Sequence, residues 1–280
     1  MKKKLILVPT DFSKVGQTAV NHAVKVAQSS GSTLALVHIV PKADMLEEAK
    51  TKLQVAKKMT FEDYDFDIDT IARVGTIYED IGDLVDEVDA SLVIMGTHGM
   101  RGLQFITGSH ALRIVTSSKT PVIIVQERKI KENGYDDIVV PLDLHQETKQ
   151  KLRMVADMAK YFDSRVHIIV PRETDEYLRN QVDRNMKYAE SYFQEKGIQH
   201  TARVSGEKSS NFDEGVINFA NDIDADLICI MNLPENSLVN LIGGNYVQNI
   251  ITNSAQIPAM LLNPKETTQV SIFGAYTGVG

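Results

Sequence analysis

Residues 5–13 read LILVPTDFS, and residues 137–145 read DIVVPLDLH. Both are apolar, β-branched runs that end in Val-Pro-X-Asp, so Asp11 and Asp143 hold the same place in two copies of one pattern. The correspondence continues outward. STLALVHIVP (32–41) answers SRVHIIVP (164–171), and ARVG (72–75) answers ARVSG (202–206). DASLVIMG (89–96) answers DADLICIMN (224–232), and TPVIIV (120–125) answers IPAMLLN (257–263). The matches keep their order at an offset of about 130–137 residues, a period too long for a solenoid repeat and right for a whole domain.

Inside each copy, short β-branched runs alternate with stretches of helical period. In the first copy a strand at 5–8 is followed by Ala19, Val20, Ala23, Val24 and Ala27 at helical spacing, with Gly31 closing the helix. The pattern then predicts a strand at 33–40, a helix near 43–59, a strand near 68–74, a helix near 77–88, a strand at 91–95, a helix from about 109 and a strand at 121–125. Near-continuous apolar strands separated by helices imply a parallel sheet covered on both faces. Right-handed crossovers make each copy doubly wound. The expected fold class is therefore α/β: two tandem, doubly wound, Rossmann-like domains of five parallel strands, at 1–127 and 136–264, with a tail at 265–280. A charged turn, KIKENG, marks the linker near 127–135.

Composition narrows the function classes. Hydrophobic content of 43% and charged content of 24% suit packed globular protein, and the net charge of -7 gives no electrostatic reason to hold nucleic acid. Lys2–Lys4 read as a solvated chain end, no apolar run is long enough to span a bilayer, and a cytoplasmic location is expected. Cys229, the single cysteine, lies in an apolar run and reads as a small buried hydrophobe.

In a doubly wound sheet, ligands sit at the carboxyl ends of the strands where the winding reverses. The most glycine-rich strand end is GTHGMRGLQFITGS, 96–109. Gly96 and Gly99 let backbone approach a ligand, and Gly108 and Ser109 open a helix whose free amides favour an anion. His98 lies in the same loop and is counted with its contacts rather than as a catalyst. Asp11, at the end of the first strand, is placed to accept from ribose hydroxyls or to cap the following helix; Ser13 is an equally good cap.

VPTDFS, VHIV, Val74-Gly75, MGTHG, Gly108-Ser109 and TPVIIV resemble the universal stress protein family, over all of 1–125 and more faintly over 137–263. The resemblance implies an adenine nucleotide alpha hydrolase-like fold and a loop, Gly, two residues, Gly, nine residues, Gly-Ser/Thr, that binds ATP. It would set Gly96, Gly99, Gly108 and Ser109 at the phosphates, Pro9, Thr10 and Asp11 at ribose and adenine, Val37 against the adenine and Gly75 near the base. This loop departs from the pattern, with eight residues, Met100 to Thr107, where the family has nine. The second copy reads MNLPENSLVNLIGGNYV at the matching place, where Asn232 and Pro234 to Asn236 are expected to replace the first glycines and Gly243 and Gly244 remain before a helix, so its cradle is degenerate and Asp143 is expected to have a capping role. The expected ligand is ATP, AMP or ADP, with magnesium as its companion and no tightly held redox cofactor. The expected role is a stress-response regulator or sensor with an unknown protein partner. The expected assembly is an internal pseudo-dimer through 121–125 and 258–262, open to higher oligomers. With no GxxxxGK[ST] loop, carboxylate pair or nucleophile elbow, binding without efficient turnover is expected. The alternatives are an interaction scaffold that binds no nucleotide, and a slow ATPase.

Overall fold

A computed structural model describes residues 3–97, 119–232 and 245–264. The strands are β1 (Leu5–Pro9), β2 (Thr33–Val40), β3 (Asp69–Val74), β4 (Ala90–Gly96), β5 (Val122–Val125), β6 (Asp137–Pro141), β7 (Arg165–Val170), β8 (His200–Val204), β9 (Leu227–Met231) and β10 (Ala259–Leu262). The helices are α1 (Lys14–Ser30), α2 (Leu46–Tyr64), α3 (Ile77–Glu87), α4 (Leu152–Phe162), α5 (Glu176–Glu195), α6 (Phe212–Asp222) and α7 (Tyr246–Ile251). The helix expected near 43–59 starts as a short 3-10 turn and runs on to Tyr64, where Asp65 adopts a left-handed conformation and ends it. The helix expected from 109, the glycine loop after Thr97, the second copy's loop from 233 to 244 and the tail from 265 lie outside the described residues.

The strands form one sheet in the order β3-β2-β1-β4-β5-β10-β9-β6-β7-β8. Pairing is parallel within each half, and the two halves carry the same order read outward from the centre. They meet where β10 runs antiparallel to β5, Ala259 opposite Ile124 and Leu261 opposite Val122. The two five-stranded sheets expected from sequence are thus joined edge to edge, which satisfies the backbone groups that each last strand would otherwise leave open. One apolar core lies under α1, α2, α4 and α5; the other lies under α3, α6 and α7; both run through the two halves.

Local chemistry explains the element ends. Ser13 Oγ accepts from the Gly16 amide at 3.1 Å and starts α1, and Gly31, at φ 68, closes it. Asp89 and Asp224 occupy the same left-handed position before β4 and β9. Aspartate tolerates that conformation better than most residues. Among the described residues, no helix is long and apolar enough to cross a membrane.

Candidate functional site

The winding reverses between β1 and β4 in the first half and between β6 and β9 in the second. At the first of these points the sheet gathers most of the described residues that the sequence nominates. Pro9 pairs with Val37, and the Thr10 amide donates to the Val37 carbonyl at 2.8 Å. Gly96 ends β4, and Gly75 directly follows β3, its amide donating to the Val40 carbonyl at 2.9 Å. His98, Gly99, Gly108 and Ser109 lie outside the described residues.

Asp11 is exposed, and its Oδ1 accepts from the Ser13 amide at 2.9 Å, so the carboxylate shapes the turn into α1 while Ser13 caps the helix. A carboxylate at this place suits a neutral polyol such as ribose, whose hydroxyls donate to it. Gly16 keeps the space beside it open: a Cβ there would come within 2.9 Å of Asp11 Oδ1.

Three nominated residues have structural work of their own. A Cβ on Gly96 would stand 2.7 Å from Val15 Cγ1 and 2.9 Å from the Val15 carbonyl oxygen, so close packing of α1 against β4 by itself requires glycine there. Gly75, at φ 154, faces the Asp80 carboxylate, where a Cβ would fall 2.2 Å from Oδ2; that oxygen accepts from the Thr76 amide at 2.6 Å and so starts α3. Val37 is 1% exposed within the core under α3, so its side chain presents no surface to a ligand in this structure.

Sequence reasoning missed two residues at this strand end. His38 Nδ1 lies 2.7 Å from the Thr10 carbonyl oxygen. A carbonyl only accepts, so Nδ1 carries the proton. The His38 ring packs on Phe12 with centroids 4.6 Å apart, and Phe12 is left-handed at φ 62. The available signal was the VHIV run, which served as a family mark and not as a contact.

The matching strand end of the second half is closed by its own side chains. Asp143 is 9% exposed; its Oδ1 accepts from the His145 amide at 2.8 Å, and its carbonyl accepts from Asn185 at 2.8 Å. Lys151 is 2% exposed and its ammonium donates to the Pro141 carbonyl. Burial pushes that ammonium down to about 8, and the Asp143 charge pulls it back up. Cys229, fully buried on β9, has its thiol pushed up by the same burial. Just past β9, Asn232 donates to Asn263 at 2.7 Å; the register sets Asn232 at the place of Thr97, and Met231, not Asn232, stands where the first half has Gly96, since Gly96 pairs with Val125 and Met231 with Leu262.

The profile of the universal stress protein family matches residues 3–126. A universal stress protein of Synechocystis is 33% identical over 134 residues, which is 44% of this chain and 85% of that protein. The chain belongs to the universal stress protein family. A family member from Methanocaldococcus jannaschii is 25% identical over 156 residues, covering 45% of this chain and 96% of its own. The crystal structure of a universal stress protein from Archaeoglobus fulgidus superposes with a TM-score of 0.70, covering 94% of this chain and 97% of that one at 16% identity, a likeness of fold.

Proposed function

We propose that the first half of this universal stress protein binds ATP or a related adenine nucleotide at the carboxyl ends of β1 and β4. The protein then acts as a stress-response regulator or sensor, its occupancy read by a protein partner. The two halves are tandem domains, 1–127 and 136–264, of which one keeps the site. The observation that carries this reading is the contrast between the two strand ends. Asp11 is exposed beside a glycine that keeps its surroundings clear, whereas Asp143 is shut in beside a buried lysine.

In this reading Asp11 accepts from the ribose hydroxyls. The glycine loop, from Gly96 through Ser109, takes the phosphates, which bring magnesium with them. Binding proceeds without efficient turnover. A nucleotide signals only through a difference in affinity between two arrangements of the surface around it, so the partner must sense the strand-end edge that the ligand covers.

Native mass spectrometry of freshly purified protein, with and without added ATP, tests the proposal. One adenine nucleotide per chain is the expected mass excess. None at saturating ATP overturns nucleotide binding, and two overturns the assignment to one half.

A second reading, an interaction scaffold without nucleotide, is favoured by the antiparallel seam, because β5–β10 pairing needs no ligand to hold the halves together. Equilibrium dialysis against labelled ATP separates the two, and ADP appearing in the same cell would mark a slow ATPase.

A further inference from the structure

We propose that His38 is a positioning residue of the first half's site: it holds the turn after β1 in the shape that turns the Asp11 carboxylate to solvent. The inference rests on the nucleotide reading given above, and it names the residue on which that site's geometry depends.

The turn is strained. Phe12 lies at φ 62, a conformation that a bulky L-residue adopts only when its surroundings impose it. The contacts that impose it converge on His38. The Phe12 amide donates to Thr10 Oγ1 at 3.1 Å, and the Thr10 amide is fixed to β2 through the Val37 carbonyl. The Thr10 carbonyl, on a residue 8% exposed, receives the Nδ1 proton of His38, while the His38 ring supports the Phe12 ring. Asp11 lies between these two anchored residues. One imidazole thus binds the backbone before the carboxylate and packs on the side chain after it.

The second half supplies an internal control. Pro141 pairs with Ile169 as Pro9 pairs with Val37, so Val170 stands at the register of His38. Valine offers no donor and no ring. Leu144, the counterpart of Phe12, is not left-handed, and Asp143 is buried. Where the histidine is missing, the left-handed turn and the exposed carboxylate are missing with it.

The test compares the full-length wild type with His38→Phe, which keeps a ring and removes the donor, and His38→Asn, whose Nδ2 reaches the place of Nδ1. ATP affinity is measured by isothermal titration calorimetry, protection of the Phe12 and Ser13 amides by hydrogen exchange without ligand, and integrity by urea unfolding. His38→Val, which copies the second half, replaces the Phe variant if that one does not fold. Loss of one partly buried hydrogen bond predicts about threefold to tenfold weaker ATP binding for His38→Phe, with His38→Asn recovering most of it. Faster exchange at Phe12 and Ser13 should accompany the loss. If wild type and His38→Phe bind ATP equally, the positioning role is wrong. If the wild type binds no ATP, the nucleotide reading fails by itself and the exchange data judge His38: faster exchange in the Phe variant keeps its hold on the turn, and unchanged exchange removes it.

Discussion

The two halves share a strand order and a Val-Pro-X-Asp strand end, yet the same aspartate has opposite surroundings in each. In the first half, α1 begins directly after the turn, and its position ten residues beyond the strand's proline is Ala19, fully buried and small. In the second half the equivalent position is Lys151, carried at the end of a 3-10 segment, Gln146–Lys151, that precedes α4. An alanine leaves the strand end to whatever approaches from solvent. A lysine fills it from below with a cation that must find partners inside the protein, and it finds the Pro141 carbonyl and the field of Asp143. The two strand ends thus differ in the side chain that lies beneath the winding switch, a small buried alanine in one and a buried lysine in the other.

The largest test of that contrast is the pair Asp143→Ala and Asp11→Ala. Removing Asp143 leaves Lys151 buried without the negative charge that raises its pKa, and it takes the acceptor from the His145 amide. A loss of about 2–3 kcal/mol in unfolding free energy is expected, with ATP affinity unchanged. Removing Asp11 deletes one exposed hydrogen bond and should cost less than about 1 kcal/mol, while ATP affinity falls. Urea unfolding and calorimetry read the two effects separately. Equal loss of affinity in both variants would end the assignment of one open and one closed half.

A smaller effect sharpens the comparison at the end of β4. Gly96→Ala places a methyl group against Val15, with backbone atoms at 2.9 and 3.0 Å that cannot rotate away, whereas the second half accommodates Met231 at the same register. Overpacking here should destabilise by about 2 kcal/mol in chemical denaturation. No loss would mean that α1 moves freely over the first strand end, and that Gly96 is there for a ligand rather than for packing.

The chain made these contrasts legible to different degrees. The apolar strand runs and the helix signals at Ser13 and Gly31 are local patterns, and the structure places strands and helix ends there. The seam between 121–125 and 258–262 was legible through the family resemblance, and the register Ala259 opposite Ile124 realises it. Phe12 was not legible, because a left-handed bulky residue is imposed by its neighbours and leaves no mark in the sequence. Lys151 was not legible either: it lies in KQKLRMV, where a lysine at a helix start reads as a solvated charge. A third hidden feature belongs to the second half alone. His167 lies 2.7 Å from Asp137 and 3.0 Å from Thr201, a polar chain across β6, β7 and β8 at positions where the first half has Leu5 and Ala35. Residues 30 and 34 positions apart meet there only through sheet register.

The gentlest test concerns the helices that face each other across the seam. Thirteen residues after the strand's proline, α1 carries His22 and α4 carries Met154. Met154 packs on the core as any apolar residue would. His22, 1% exposed, ties the first half to the linker: Nε2 lies 3.0 Å from the Arg128 carbonyl and Nδ1 lies 2.9 Å from the hydroxyl of the fully buried Tyr135. The carbonyl only accepts, so Nε2 carries the proton and Nδ1 accepts from Tyr135, an arrangement that requires the neutral ring. Burial holds the pKa down to about 4, from 6.5. A histidine whose pKa is lowered on folding takes up its proton first in the unfolded chain. Stability is therefore full above about 6.5 and declines as the pH falls towards 4. A loss of about 1 kcal/mol is expected by roughly pH 5.5, read as the difference in urea midpoint between wild type and His22→Gln, which cannot titrate. If that difference stays constant from pH 7 to about pH 5, the neutral histidine is not what ties the linker to the first half. The tie between the linker and the second half is of another kind, Arg128 and Lys131 with Asp224 and Asp226, and salt rather than acid would loosen it.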